Sequence, residues 1–297
     1  MRNLKKILFT TVALLAFAAC SSDNGEENAE NRIPIRLTSS NIDMEGVVTR
    51  SSQDLQNDKF DLNEQLDVLI ESKDGLTTYD PQIYKVNSLD GQLVPTSNAY
   101  SYYPINGSGI DIRAIYPKGY TTATQFTVET TQTDDNSYKK SDLMFASASV
   151  DAPQSAAVPL TFYHKMTKIC VNLTATGAVD LTGSIVKLLK LYKTVEFDAT
   201  TGAVGAPSGT KTDFTMSMNG IEPCAAIIVP QSFNNGYLIE IRLANNDILN
   251  WRSTQTIPFE SGKVYTYNIE VTESNIKVTS TVEPWIETTD IEGRPRL

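Results

Sequence analysis

The alternation of hydrophobic and polar residues changes phase once near the middle of the chain, inside residues 158–173 (VPLTFYHKMTKICVNL). Hydrophobic residues occupy even positions at first and odd positions from Ile169 onwards. Because successive side chains of a strand point to opposite faces of a sheet, the buried face changes sides here. A β-bulge near residues 165–168 would produce this change. We favour the other explanation, in which the chain leaves one sheet and enters another, so a first β domain ends near residue 163.

The rest of the chain reads as short alternating strands separated by turn signals. Residues 32–38 (RIPIRLT) place Ile33, Ile35 and Leu37 on one face, and Pro34 lacks a backbone donor, which favours an edge strand. Further strands are predicted for QLDVLIE (65–71), GIDIRAIYP (109–117), YLIEIRL (237–243, with Tyr237, Ile239 and Ile241 facing inwards) and a closing hairpin of 263–271 with 276–282, which buries Ile276, Val278 and Val282.

No long stretch has a helical period, and the ambiguous segment 184–197 is rich enough in β-branched and aromatic residues to favour strand. Closely spaced strands of this kind are typical of antiparallel sandwiches. The pattern therefore predicts an all-β protein with two tandem antiparallel β-sandwich domains, residues 32–163 and 164–297.

The N-terminus has the features of an export signal. A basic start (MRNLKK) precedes an apolar run at 7–19 that is too short to span a bilayer, and this run ends in Ala18-Ala19-Cys20. Small residues before a cysteine resemble the lipobox of bacterial lipoproteins, although a plain secretory signal with a chance cysteine is the alternative. The resemblance implies a signal peptide at 1–19 and a lipidated Cys20 that begins a flexible tether at 20–31, with several acyl chains giving stable anchoring.

Charge and chemistry exclude several classes of function. The net charge is −10 and the basic residues are not clustered, so nucleic acid is a poor partner. The single histidine, His164, fits a packed residue at a domain junction better than a catalytic site. No cluster has metal-ligand spacing, and Asp134 and Asp135 fit a solvated loop rather than a calcium site. No cofactor or metal is expected.

Two further pairs of residues leave alternatives open. Cys170 and Cys224 lie in predicted strands, and they either form a disulfide in an oxidising compartment or remain buried thiols. Trp251 and Trp285 are the only tryptophans. Exposed, they would suit a sugar-binding platform, but their places at strand ends favour the core.

Several landmarks occur in a fixed order along the chain. They are the lipobox cysteine, Thr49-Arg50 in the loop after the first strand, DLMFA at 142–146, LTFYHKMTKICVNL at 160–173, IIVPQ at 227–231, FESGKVYTYNIEV at 259–271, and IKV at 276–278 with a closing Trp285. Together they resemble the fimbrillin family, the FimA-like and Mfa-like lipoproteins of Bacteroidales that build type V pili. The resemblance spans essentially the whole mature chain.

This resemblance implies two transthyretin-like sandwich domains and a non-enzymatic role as a structural or tip subunit of a surface fimbria that supports adhesion. An outer-membrane lipoprotein would be cut by an arginine-specific protease between Arg50 and Ser51. The first strand, with Ile33, Ile35 and Leu37, would then leave together with the lipid on Cys20. A strand from the C-terminal region of another fimbrial subunit, within 276–297, would take its place. Host surfaces or other bacteria are possible adhesion partners.

Two rival functions make different predictions. A glycan-binding surface lipoprotein that never polymerises requires Trp251 or Trp285 exposed over a concave surface. An enzyme requires a pocket around His164 with carboxylates nearby.

Overall fold

The computed structural model describes residues 32–40, 60–216, 224–272 and 275–285. The described residues from Ile33 onwards form one compact unit. The predicted signal peptide (1–19) and tether (20–31), with Cys20, and the predicted cleavage site at Arg50 and Ser51 lie outside the described residues. So does the tail at 286–297.

The regular secondary structure of the described chain is almost all β-strand. The elements up to residue 164 are β1 (Leu37–Ser40), β2 (Gln65–Ser72), β3 (Gln82–Val86), β4 (Gln92–Pro95), β5 (Ile110–Tyr116), β6 (Gln125–Thr127), β7 (Thr131–Gln132), α1 (Asp135–Lys140), β8 (Met144–Val150), β9 (Val158–Thr161) and β10 (Tyr163–His164). The later elements are β11 (Thr167–Ala175), β12 (Ile185–Leu191), β13 (Thr194–Asp198), β14 (Ala203–Ser208), β15 (Thr212–Met216), β16 (Cys224–Ile228), β17 (Gln231–Phe233), β18 (Gly236–Arg242), β19 (Ile248–Ser253), β20 (Ile257–Phe259), β21 (Lys263–Val271) and β22 (Ile276–Pro284).

Three larger sheets organise these strands. Eight strands form one sheet in the order β10-β8-β5-β2-β3-β4-β1-β9. A four-stranded sheet (β16-β11-β21-β22) and a five-stranded sheet (β19-β18-β12-β15-β7) form most of the second half, with two smaller sheets of three and two strands. The prediction of an all-β sandwich protein is confirmed.

The buried hydrophobic residues fall into two clusters, which we call the first core and the second core. The first core extends from Ile35 to Phe162 and lies against the eight-stranded sheet. The second core extends to Trp285 and also receives Ile115, Phe126 and Phe145 from the earlier half of the chain. The domain boundary between residues 163 and 164 therefore stays a prediction, although the number of cores agrees with it.

The change of phase marks the passage between sheets. Strands β9 and β10 belong to the eight-stranded sheet, whereas β11 lies in the four-stranded sheet. Phe162 is buried in the first core, and Met166 and Ile169 are buried in the second. The chain therefore changes sheets between residues 164 and 167, which confirms that interpretation over a bulge. The segment 184–197 forms strands, as predicted.

Three details of the pattern were wrong. Val282 is 55% exposed, because β22 lies at the edge of its sheet and, among the described strands, pairs only with β21. Tyr237 is also exposed, because the register of β18 against β19 shifts between Tyr237 and Ile239 and turns the tyrosine outwards. Asp134 caps a helix rather than lying in an open loop: its carboxylate accepts the Ser137 backbone N–H at 3.0 Å. That helix, α1, has only six residues, too few to show a helical period.

Candidate functional site

Strand β1 is the feature on which the predicted assembly function depends, and it does not lie at the edge of its sheet. It pairs with β4 in the antiparallel direction, with Leu37 opposite Leu93. It also pairs with β9 in the parallel direction, with Leu37 opposite Val158. The predicted edge position is therefore wrong: β1 is flanked by a strand on each side. Pro34 misled the prediction because it precedes β1 and forms only an isolated bridge with Tyr102, so its missing N–H costs β1 no ladder bond.

Backbone hydrogen bonds hold this segment to neighbours along most of its length. On one side Ile35 N–H donates to the Ser101 carbonyl at 2.8 Å, and the Ile33 carbonyl accepts from Tyr103 N–H at 3.0 Å. On the other side the Arg36 carbonyl accepts from Val158 N–H at 2.8 Å. Removal of β1 would therefore leave unpaired donors and acceptors on two strands at once.

The side chains of the segment contribute less burial than its sequence pattern predicts. Ile35 and Leu37 are fully buried in the first core, as predicted. Ile33 is 37% exposed, so its predicted inward orientation does not bury it. Burial of two aliphatic side chains stabilises the docked strand by about 3–6 kcal/mol, which is a modest contribution.

A glycine lets the backbone of β1 approach the β3–β4 turn closely. Gly91 has φ +78°, and a Cβ at this position would lie 2.2 Å from the Ser39 carbonyl oxygen. In the structure Ser39 donates to the Gly91 carbonyl from its backbone N–H at 2.8 Å and from its hydroxyl at 3.1 Å. The end of β1 is therefore fixed at the point where residues 41–59 begin.

The chain on the far side of residues 41–59 is fixed independently of β1. Phe60 is buried and packs edge-to-face on Phe162, with ring centroids 4.9 Å apart. Lys139 on α1 forms ion pairs with Asp61 and, at 2.8 Å, with Glu64. Burial raises the pKa of the Glu64 carboxyl, and the bond from Lys139 opposes that rise. Residues 41–59, which contain Arg50 and Ser51, thus connect two separately anchored points.

His164 is a packed residue, which confirms the sequence interpretation. Its Nδ1 lies 2.8 Å from Asp142 Oδ1, and its side chain is only 2% exposed. The ring stacks on Trp285 with centroids 4.0 Å apart and planes 6° apart. Asp142 places a carboxylate beside the imidazole, and both side chains are buried, at 1% and 2% exposure.

The tryptophans do not form a sugar-binding platform. Trp285 is 5% exposed, and Trp251 is half-buried with its ring 5.1 Å from Tyr267. Among the described residues, no group of three or more histidine, cysteine, aspartate or glutamate side chains could hold a metal ion. In the same part of the chain, no helix has the length and hydropathy of a membrane span.

Cys170 and Cys224 do not form a disulfide. Val171 lies opposite Cys224 and Cys170 lies opposite Ala225 on the neighbouring strands β11 and β16. Because adjacent residues of a strand point to opposite faces, the two sulfur atoms lie on opposite faces of the sheet. The disulfide alternative left open by the sequence is therefore wrong.

We expect Cys224 to resist alkylation in the folded protein. Burial raises the pKa of its thiol to about 12, so at pH 8 its thiolate fraction is roughly a thousandfold below that of a free cysteine. Peptide mass spectrometry after iodoacetamide should find Cys224 unmodified in native protein and fully modified in urea without reductant. A requirement for reductant in urea would show that the thiols are paired after all.

Strand β22 forms a long open edge near the C-terminal end of the described chain. The Thr272 N–H donates to the Asn275 carbonyl at 2.8 Å, so these two residues form a hydrogen-bonded pair of the hairpin. Since hydrogen-bonded and non-hydrogen-bonded pairs alternate, Ile276, Val278, Ser280 and Val282 direct their backbone groups away from β21. The sequence pattern predicted this hairpin but not its exposure, because only the order of strands in the sheet shows which strand lacks a second neighbour.

Comparison with known proteins gives the family. A fimbrillin-like family model matches residues 40–285. Among solved structures, a candidate cell adhesion protein from Bacteroides uniformis aligns with a TM-score of 0.70 at 18% identity, covering 86% of this chain and 99% of that one. A candidate cell adhesion protein from Bacteroides ovatus aligns with a TM-score of 0.67 at 22% identity, covering 86% of this chain and 99% of that one. The tip fimbrial protein Mfa3 from Porphyromonas gingivalis aligns at 0.50 and 6% identity, covering 86% and 99%.

At these identities the solved structures show a shared fold. No curated protein sequence is similar enough to count as a match. The family model, in contrast, covers most of the chain, from the end of β1 to Trp285. The chain therefore belongs to the fimbrillin-like family.

Proposed function

We propose that this protein is a subunit of a bacterial surface fimbria that supports adhesion, reaches the outer membrane as a lipoprotein and polymerises by protease-triggered strand exchange. Its role is structural rather than enzymatic. Cys20 carries the lipid, and the partners are other fimbrial subunits, an arginine-specific protease and the surfaces to which the fimbria adheres.

The observation that carries this proposal is the burial of Ile35 and Leu37 in the first core by a short strand that lies between β4 and β9. Because this is not the edge position that the sequence predicted, release of β1 has to break backbone pairing on both sides. If β1 leaves, the space between those strands, which we call the β1 slot, has an unpaired strand on each side. The places of Ile35 and Leu37 in the first core are then empty as well. A strand from another subunit can fill both, through main-chain bonds to the flanking strands and alternate side chains in the pockets.

Cleavage between Arg50 and Ser51 would divide the chain at a suitable place. The upstream fragment contains β1 and Cys20, and the contacts of residues 32–40 would hold it without a covalent link. The downstream fragment begins close to Phe60, which is packed into the first core. The cut would therefore free β1 and its lipid while leaving the rest of the fold anchored.

Strand β22 has the properties of the donor. In the part of the chain that the structure describes it pairs with a single neighbour, and Ile276, Val278 and Val282 alternate with polar residues along it. Most of its side chains are exposed, so it would gain burial by moving into a slot. Because donor and slot lie on different parts of the subunit, repeating the contact builds an open filament.

The test is cleavage of the full-length protein by an arginine-specific protease, followed by electrophoresis without boiling. We expect cleavage after Arg50 and a ladder of stable multimers. Val282→Asp should leave folding and cleavage unchanged, because Val282 is exposed in the free subunit. It should remove the ladder, because a buried charge in the slot is costly.

Thr281→Asp is the matched control, since Thr281 is exposed on the opposite face of the same strand. This variant should form the ladder. If the parent chain is cleaved and stays monomeric, strand exchange is wrong; if both variants form ladders, β22 is not the donor.

A further inference from the structure

We infer that Trp285 is a latch that keeps β22 docked on its own subunit, and that departure of β1 opens this latch. The inference rests on the proposed function, because it concerns how release of the first strand is linked to readiness of the donor. An unprocessed subunit would then hold its donor strand back, and a processed one would offer it.

Trp285 is a buried side chain directly after β22, a strand whose other side chains are mostly exposed. It is 5% exposed, whereas Ser280, Val282 and the polar residues of β22 are open to solvent. Its backbone N–H donates to the Gly262 carbonyl at 2.7 Å, and its ring stacks on His164. The Lys168 ammonium lies 5.9 Å from the ring centroid, within the range of a cation–π interaction. Undocking of β22 must therefore break the contact between Trp285 and His164.

His164 is linked through the backbone to the wall of the β1 slot. Strand β9, which forms that wall, ends three residues before His164. The ladder partner of β9 is β1, with Leu160 opposite Ser39 and Thr161 opposite Ser40. Departure of β1 therefore removes the strand pairing that fixes β9 in its sheet.

The short segment that connects β9 to His164 has little conformational freedom. Phe162, between them, is fully buried and packs against Phe60, so a shift of β9 is passed along the chain rather than absorbed by an exposed loop. The opposing restraints on His164 are its bond to Asp142 and its pairing with Met144 on β8. The His164–Trp285 stack is therefore connected to both strands that the proposed mechanism moves. His164 follows β9, the partner of β1, and Trp285 follows β22 directly.

The experiment uses the full chain with Trp251→Phe, so that Trp285 is the only tryptophan, and with Val282→Asp, so that a released β22 does not become protected again in the slot of a neighbouring subunit. Hydrogen exchange of the peptide covering 276–285 and acrylamide quenching of Trp285 fluorescence are measured before cleavage, after cleavage, and after the β1 fragment has been removed. We expect exchange of this peptide to become at least tenfold faster, and Trp285 to become accessible to quencher, only after the fragment has gone. Adding a synthetic peptide of residues 32–40 should restore protection, whereas the same peptide with Ile35→Asn and Leu37→Asn should not.

A substitution opens the latch without touching β1. In the uncut chain, His164→Ala should speed exchange of 276–285 at least tenfold while residues 158–161 keep their protection. Tyr163→Ala is the control, because Tyr163 is an exposed neighbour on the same short strand. If His164→Ala does not fold, the peptide add-back still decides the question.

The outcomes separate the two proposals. A β1 fragment that remains bound after cleavage, even against excess donor peptide of residues 276–285, overturns strand release itself. A fragment that leaves while Trp285 stays protected overturns the latch and leaves strand exchange standing.

Discussion

Arg50→Ala is expected to keep the protein monomeric under protease treatment that converts the parent chain into multimers. Without cleavage between Arg50 and Ser51, β1 remains covalently joined to the rest of the subunit. A tethered strand competes with an incoming donor at a high effective concentration, so the donor loses even if its own contacts are better. The multimer ladder should disappear completely, as judged by electrophoresis without boiling, and mass spectrometry should find the upstream and downstream parts still joined.

Arg36→Ala is the control for general loss of an arginine. The Arg36 side chain is exposed, and its contact with β9 uses the backbone carbonyl, which the substitution keeps. Cleavage and ladder formation should match those of the parent chain. Multimers formed by Arg50→Ala without cleavage elsewhere in residues 41–59 would contradict the processing step.

Local patterns predicted the strands well because the cause of those strands is itself local. QLDVLIE and GIDIRAIYP alternate with period two, and they form β2 and β5 with Leu66, Val68, Ile110 and Ile112 buried. The change of phase near residue 165 predicted the passage from the first core to the second. In each case the alternation of hydrophobic and polar residues along one strand shows which face of the sheet is buried.

The arrangement of strands was beyond the same reasoning. Whether β1 lies at an edge depends on β9, which is distant in the sequence and pairs with it in parallel. The contact of His164 with Asp142 and Trp285 likewise joins three distant segments, and no spacing rule connects them. Val282 was predicted to be buried because its strand alternates, but β22 is the last strand of its sheet and Val282 is exposed.

Leu37→Ala is expected to weaken the intact subunit and to speed its assembly. Leu37 is fully buried in the first core, and truncation of such a leucine lowers the free energy of unfolding by about 2–5 kcal/mol. Urea unfolding of the uncut chain should show this loss. Ile33→Ala, at a partly exposed position of the same segment, should cost less than about 1 kcal/mol.

The same substitution acts in the opposite direction once the chain has been cut. The β1 fragment is then held only by its own contacts, and a loss of 2–5 kcal/mol weakens its binding by about 30- to 4000-fold. Since the slot must empty before a donor enters, multimers of cleaved Leu37→Ala should form faster than those of the parent, while cleaved Ile33→Ala should match the parent. A destabilised subunit that assembles no faster would mean that departure of β1 does not limit the exchange. A faster rate, in contrast, identifies the hold on Leu37 as the barrier that keeps a processed subunit from polymerising too early.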